Sequence, residues 1–255
     1  MSTRNPNRKV LATLLLGCAV SSAMAQIERP MSLLYPVQGQ QSVSKNQLLT
    51  PTKALRAAKR AGDEFIRGHF DLAQREVDRA LTIAPKCAMA LTMQGALDLQ
   101  KGQDEAAAAR FQESIGDDPS LAAAYVGLAL IHISHGRFKD ALAPLDRAAG
   151  LLPGSWFIQF QRAAVEVGVG DYERALKQLK IASGLTGGIP ERESGVSYLH
   201  ALISLKVESA SVARQYLASA VAIDPNGAYA SLSQRALDSL ASTYPTHPID
   251  TRASE

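Results

Sequence analysis

Cysteine is scarce in this sequence of 255 residues, in which Cys18 and Cys87 are the only two. Cys18 lies in an N-terminal segment that we expect to be cleaved off, and the single remaining thiol excludes an intramolecular disulfide. Aromatic residues are also few, at 5%, although 46% of the residues are hydrophobic. Alanine and leucine supply most of the apolar surface, and this composition favours helices that are stabilised by close packing alone.

The first 25 residues have the features of a secretory signal. Arg4, Arg8 and Lys9 precede an apolar run at 10–20, and small residues follow up to Ala25. The apolar run is well short of the ~20 residues that a membrane-spanning helix needs. We therefore predict a signal peptide at 1–25, cleavage after Ala25, and export to the periplasm or cell envelope.

The same segment allows a second interpretation. The residues LLGC at 15–18 resemble the lipobox of bacterial lipoproteins, in which the cysteine becomes the acylated N-terminus. Leu16 stands where that motif usually has a smaller residue, whereas Ala23 and Ala25 fit cleavage after Ala25. The alternative is lipidation at Cys18, which implies an outer-membrane lipoprotein, and we expect no other membrane contact.

Excess charge of either sign is absent from the predicted mature chain. Residues 1–25 hold three of the 27 Lys and Arg residues and none of the 24 Asp and Glu residues, which leaves 24 of each sign. Without a net positive charge or a basic run, the electrostatic attraction to nucleic acid is missing. We predict no nucleic-acid partner.

A glycine and a proline at a constant spacing recur along the chain, and each pair is shifted from the last by about 34 residues. An alanine and then a second small residue follow each glycine, again at constant spacings. The pairs are Gly68 and Pro85, Gly102 and Pro119, and Gly136 and Pro153; the alanines are Ala73, Ala107, Ala141 and Ala175; the second small residues are Ala80, Ser114, Ala148 and Ala182. Small residues at fixed places indicate helices that cross closely.

This pattern resembles the tetratricopeptide repeat, a helix–turn–helix unit of about 34 residues with a glycine in its turn and a proline at its end. The third unit fits best, with Tyr125, Leu128, Ala129, Ala141, Leu145 and Ala148 at the family's packing positions. The resemblance implies an all-α, right-handed superhelical solenoid. We place about five repeats at 54–87, 88–121, 122–155, 156–189 and 194–227.

The remaining segments complete the predicted domain organisation. Residues 26–52 are expected to form a flexible linker, 53–242 the repeat domain and 243–255 a disordered tail. A capping helix is expected after Pro225, with Leu232, Ala236 and Leu240 on its apolar side. The fourth unit has Gly187 in place of the final proline, and the fifth has Glu208 in place of the turn glycine.

The register of the leading helices stays open at this point. In three units the family's packing positions hold polar residues, namely Arg60, Glu64, Gln94, Asp98, Arg162 and Glu166. A shift by one residue would instead place Phe65, Leu99 and Val167 in the packed row, and it would place Ile158, Gln161, Val165 and Val169 in the groove of the fourth unit.

The resemblance implies a concave groove lined by the leading helices, which binds a protein or peptide partner. In the unshifted register the groove residues are Met89, Thr92, Ala96, Leu99, Val126, Leu130, Ile133, Phe157, Phe160, Ala164 and Val167. In cochaperone members of the family, asparagines and basic residues clamp a carboxylate. Here no asparagine occurs between Gln47 and Pro225, which argues against that clamp.

Motifs for catalysis are weak in this sequence. His132 and His135 lack the adjacent glutamate and the one-turn spacing of a zinc protease, and a packed histidine explains His132 better. The SVSK string at 42–45 lacks the other motifs of penicillin-binding enzymes. We therefore expect no catalytic residue, no metal site and no cofactor.

Together these features predict a non-enzymatic scaffold or adaptor in the cell envelope, which holds an apolar or amphipathic segment of a partner in its groove. One alternative is a lipid-anchored outer-membrane assembly or pilus-biogenesis factor. A different class is an accessory subunit of an envelope enzyme, with chemistry from Ser42, Lys45, His247 or Asp250. The sequence leaves the oligomeric state open, and self-association through the groove or an end unit is a further alternative.

Overall fold

The computed structural model describes residues 44–243, and these residues form twelve α-helices and no strand. The helices are α1 Lys45–Leu49, α2 Thr52–Ile66, α3 Phe70–Ile83, α4 Ala88–Gln100, α5 Asp104–Asp117, α6 Ala122–Ser134, α7 Phe138–Leu151, α8 Trp156–Val169, α9 Tyr172–Ser183, α10 Pro190–Val207, α11 Ala210–Ile223 and α12 Ala228–Thr243. Residues 44–185, with α1–α9, form one compact unit, and residues 186–243, with α10–α12, form a second.

Four helical hairpins in the first unit share one kind of turn. In the hairpin of α6 and α7, Gly136 has φ +67°, and the Arg137 N–H donates to the His132 carbonyl at 2.8 Å. This left-handed conformation closes the end of a helix and strains any residue that has a Cβ. The equivalent residues Gly68, Gly102 and Gly170 also have positive φ. The predicted turn glycines are therefore confirmed.

The prolines mark the ends of the trailing helices, as predicted. Helices α3, α5 and α7 end two residues before Pro85, Pro119 and Pro153, respectively. The residue before each proline leaves the helical region, because the proline ring crowds its backbone; Ala84, for example, has φ −145° and ψ 93°. Helix α9 lacks such a proline and ends before Gly184.

Small side chains lie where the two helices of each hairpin cross. Ala141 and Ala148 of α7 are completely buried, with Leu145 between them at 1% exposure. The equivalent small residues of α3, α5 and α9 are completely buried too, and so are Ala213 and Ala220 of α11. A larger side chain at these points would push the helix axes apart. The expectation of close crossings is confirmed.

The packed row of the leading helices follows the shifted register. Phe65 of α2 packs against Ala61 and against Ala73 and Val77 of α3. Ile133 of α6, one residue after the position at which the family pattern has its aromatic residue, packs against Ala141 and Leu145 of α7 in the same way. Two polar residues of the unshifted row, Asp98 and Glu166, are nevertheless buried.

The second unit consists of a hairpin and a final helix. Helix α10 begins with Pro190 at its first turn, four residues before the predicted start of the fifth repeat. The Ser194 hydroxyl donates to the Ala220 carbonyl of α11 at 2.9 Å. Helix α12 buries Leu232, Ala236 and Leu240, which is the apolar side predicted for the cap.

Two predicted boundaries can be compared with the structure only in part. The linker prediction for 26–52 differs from the structure at its end, because 45–49 are helical and capped by Ser44. The predicted signal peptide, Cys18 and residues 244–255 of the predicted tail lie outside the described residues. Within 44–243, none of the helices combines the length and hydropathy needed to cross a bilayer.

Candidate partner-binding surface

The first unit has an inner and an outer layer of helices. The leading helix α2 contacts α4, and α4 contacts α6. The trailing helices α3, α5 and α7 each contact the leading helix of their own hairpin and that of the next hairpin. The leading helices therefore have one side towards the trailing helices and another side away from them.

A polar outer row runs along the side of the leading helices that faces the trailing helices. We define it as Arg60, Glu64, Gln94, Asp98, Arg162 and Glu166. Arg60 forms an ion pair with Glu76 of α3 at 3.0 Å, and the Gln74 amide of α3 donates to Gln94 at 2.7 Å. These residues occupy positions that are apolar in the family pattern, and Arg60, Gln94 and Arg162 bridge to the trailing helices.

Arg162 joins three helices at the end of the outer row. Its guanidinium contacts Asp146 of α7 at 2.7 Å and donates to Gln178 of α9 at 3.0 Å. Glu166, one turn further along α8, is 5% exposed, and one of its carboxylate oxygens has no hydrogen-bond partner. Burial raises the pKa of Glu166 to about 6, with Arg162 opposing the shift and Asp171 adding to it. The negative charge of the Glu166 carboxylate is therefore only partly offset by its surroundings.

A second, mostly apolar row of α4, α6 and α8 reaches the trailing helix of the preceding hairpin: Met93 and Ala96 pack with Ala73 and Val77 of α3, and Gly127 lies against Phe111 of α5. An α-helix turns by about 100° per residue, so residues three, four and seven apart share a face. We define the inner row as Met89, Met93, Ala96, Ala123, Leu130, Phe157, Gln161 and Ala164. Met89 and Leu130 are half-buried, and the other six are buried.

Five of the eleven residues predicted for the groove belong to the inner row: Met89, Ala96, Leu130, Phe157 and Ala164. Gln161 belongs instead to the groove set of the shifted register, and Met93 and Ala123 stood in neither set. The role of the five residues in partner binding stays a prediction.

The other six predicted residues lie at the two repeat positions that face the trailing helix of the same hairpin. The Thr92 hydroxyl donates to the Ala88 carbonyl and shares a hydrogen bond of 2.8 Å with Ser114 of α5. Leu99 packs around Phe111 of α5, and Ile133 packs on α7. Val126, Phe160 and Val167 stand at equivalent positions and are buried.

Gln161 is the exceptional member of the inner row. It is 1% exposed, and neither its amide nitrogen nor its amide oxygen has a hydrogen-bond partner. The equivalent residues of the two preceding repeats are Met93 and Gly127, which carry no polar side chain. A buried amide without partners destabilises a fold, and the repeat itself does not require one here.

Aromatic side chains are concentrated at the start of α8. Trp156 stacks on Phe160, with 4.9 Å between the ring centroids and 19° between the ring planes, and Phe157 lies between them in the sequence. Three aromatic residues within five positions stand out in a chain that has one tryptophan and six phenylalanines. Such residues often supply the anchors of protein–protein contacts.

The candidates for catalysis are not brought together. His135 pairs with Asp104 at 2.8 Å, whereas the Nδ1 atom of His132 is buried without a partner. Ser44 caps α1 and donates from its side chain to Asp118. Ser42, His247 and Asp250 lie outside the described residues. Between residues 44 and 243 there is no group of three or more His, Cys, Asp or Glu side chains suited to a metal ion.

Cys87 is a packing residue. It is completely buried in a cluster with Ala57, Ala58, Ala80 and Ala90, and burial raises the pKa of its thiol. A buried thiol with a raised pKa is a poor nucleophile.

Comparisons with known proteins support this fold. Residues 92–155 match the tetratricopeptide-repeat family model. A stretch of 88 residues, 34% of this chain, is 31% identical to Superkiller protein 3 of Schizosaccharomyces pombe, but it spans only 6% of that protein. These matches support the tetratricopeptide-repeat family for this chain.

Solved structures show the same helical array. A thermophilic tetratricopeptide-repeat protein of Thermus thermophilus has a TM-score of 0.57 at 21% identity, over 73% of this chain and 98% of its own. YrrB, described as having an unusual peptide-binding site, has a TM-score of 0.56 at 19% identity, over 72% and 92%. MamA of Desulfovibrio magneticus RS-1 has a TM-score of 0.56 at 15% identity, over 69% and 97%. The predicted all-α solenoid of helix–turn–helix repeats is confirmed.

Proposed function

We propose that this protein is a non-enzymatic scaffold of the cell envelope, which binds an apolar or amphipathic segment of a partner protein along the leading helices α4, α6 and α8. The observation that carries the proposal is the apolar character of the leading helices α4, α6 and α8, on which the side chains of Met89 and Leu130 stay half-buried. Arrays of this fold act as protein-binding scaffolds, and their inner surfaces suit extended or helical peptides.

Site-specific photocrosslinking in native cells tests the binding surface. We would place the photoreactive residue p-benzoylphenylalanine at Leu130, which is half-buried on α6, and at Arg110 as a matched control. Arg110 lies on α5 with an exposed side chain. We expect an adduct with a second protein from position 130 and none from position 110. The same adducts from both positions, or none from position 130, would contradict the proposal.

The envelope location rests on the N-terminal sequence, and it requires its own experiment. Mass spectrometry of the mature protein distinguishes an N-terminus at Gln26 from an acylated Cys18, which corresponds to the lipoprotein alternative. An intact Met1 on the mature protein would contradict export through a cleaved signal.

A further inference from the structure

The short helix α1 exposes two adjacent leucines. Leu48 and Leu49 are 74% and 73% exposed, whereas the other exposed large hydrophobic residues that the structure describes are 36–49% exposed. Helix α1 buries none of its residues, so the two leucines contribute nothing to the core. An exposed apolar pair that the fold does not use indicates an apolar contact outside the chain.

Polar contacts hold α1 in place while its leucines stay in solvent. The Ser44 hydroxyl accepts from the Gln47 N–H at 3.1 Å, which caps α1, and it donates to Asp118 in the loop between α5 and α6. The Asn46 amide donates to the Lys86 carbonyl at 3.1 Å, in the loop between α3 and α4. Two separate loops therefore fix the orientation of α1, and the face away from Asn46 is directed outwards.

Exposed lysines lie around the leucine pair. Lys45 precedes the two leucines by three and four residues, so the three side chains share one face of α1. Lys53 in the first turn of α2 is also exposed, and so is Lys86, whose carbonyl α1 contacts. Residues 44–62 contain five Lys and Arg residues and no Asp or Glu. We define the docking face as Lys45, Leu48, Leu49, Lys53 and Lys86.

The position of Lys53 has no explanation within α2. A cation in the first turn of a helix opposes the helix dipole. The first turns of α3, α5, α7 and α9 contain Asp or Glu, and the first turn of α2 contains neither. Lys53 therefore destabilises α2 slightly, and an anionic surface beside this turn would offset that effect.

The shape of the docking face distinguishes between anionic partners. Acidic peptides usually bind in a groove or along a sheet edge, whereas α1 lies on the surface with none of its residues buried. A bilayer presents an anionic surface with an apolar layer directly beneath it, into which projecting leucines can insert. Nucleic acid presents phosphates without such a layer. Two leucines among three lysines therefore fit anionic phospholipid.

We propose that the docking face binds the surface of an anionic phospholipid bilayer, with its two leucines in the acyl boundary and its three lysines on the headgroup phosphates. This contact holds the scaffold at a membrane without an acyl anchor, and the sequence alone did not indicate it. The docking face is separate from the partner-binding helices α4, α6 and α8, so failure of this proposal would leave the scaffold function untouched.

Vesicle co-sedimentation tests the contact with residues 26–255, which lack Cys18 and therefore carry no acyl anchor. This chain should bind vesicles of phosphatidylglycerol and phosphatidylcholine in equal parts about tenfold more tightly than vesicles of phosphatidylcholine alone, because the lysines are attracted to the anionic lipid. Leu48→Ser combined with Leu49→Ser should weaken binding to the anionic vesicles about tenfold, because two inserted apolar side chains are lost.

The matched control combines Leu72→Ser with Ile181→Ser, which removes two other exposed apolar side chains. It should bind the anionic vesicles as the unchanged chain does. The proposal is overturned by equal binding to both kinds of vesicle, by equal binding of the unchanged chain and the Leu48 and Leu49 double variant, or by an equal loss of binding in the control.

A fluorescent label measures insertion independently of these variants. In a Cys87→Ala background of residues 26–255, we would attach the environment-sensitive fluorophore NBD to Leu48→Cys, with Leu72→Cys as the matched control. Anionic vesicles should shift the NBD emission to shorter wavelength at position 48 and leave it unchanged at position 72. Polyglutamate, which is anionic but has no apolar layer, should cause no shift. The same shift with polyglutamate, or no shift at position 48 with vesicles, would contradict the proposal.

Discussion

The contact between Gly127 and Phe111 permits a sharp test of the packing between successive hairpins. Phe111 of α5 is completely buried. A Cβ added at Gly127 of α6 would lie less than 3.0 Å from three carbon atoms of the Phe111 ring. Real Cβ atoms do not come so close, and the ring has no room to move in a close-packed core. Gly127→Ala should therefore force α5 and α6 apart.

Two opposing effects decide the sign of this substitution. Alanine favours a helix over glycine by ~1 kcal/mol. Overpacking a core typically costs ~1–3 kcal/mol, and the three close ring contacts place this site in the upper part of that range. We expect Gly127→Ala to lower the free energy of unfolding by up to ~2 kcal/mol. Gly116→Ala in α5 is the matched control, because an added Cβ meets nothing within 4 Å there. It should be neutral or slightly stabilising.

Urea unfolding followed by circular dichroism measures both variants, and a double-mutant cycle isolates the clash. Phe111→Leu supplies space, and leucine already occupies the equivalent position in three repeats, as Leu145, Leu179 and Leu217. In the Phe111→Leu background, Gly127→Ala should become neutral or stabilising. If Gly127→Ala alone stabilises the protein as much as Gly116→Ala does, the close packing of Gly127 against Phe111 is refuted.

Three further outcomes are expected. Glu166 has a folded pKa of about 6 against an ordinary value of 4.5, so the fold prefers its protonated form and loses stability as pH rises from 4.5 to 6. Glu166→Gln should remove this loss and raise the free energy of unfolding at pH 7 by up to about 2 kcal/mol. If the pH dependence of urea unfolding is the same in this variant as in the unchanged chain, the expectation is contradicted. Gln161→Met, which introduces the residue found at position 93, should stabilise the chain by ~1–3 kcal/mol because it removes an unpaired buried amide; a lower melting temperature would refute this. Limited proteolysis should cut first near the exposed Gly187 and Gly188, and earlier cleavage within 70–150 would count against it.

The local architecture follows from the sequence because it depends on single-residue backbone preferences. A glycine that must adopt positive φ and a proline that cannot continue a helix delimit each hairpin, and their constant spacing is visible without any structure. Buried alanines such as Ala141 were predictable for the same reason, since the crossing point tolerates only small side chains. The helix–turn–helix repeats and their approximate bounds could therefore be predicted.

The faces of the leading helices were decided by tertiary packing. A rotation of about 100°, one residue along the helix, separates the two registers. The choice depends on contacts between distant residues, such as Phe65 with Val77 and Arg162 with Asp146. For this reason the unshifted register placed Thr92 and Ile133 in the groove, whereas the structure turns them towards trailing helices.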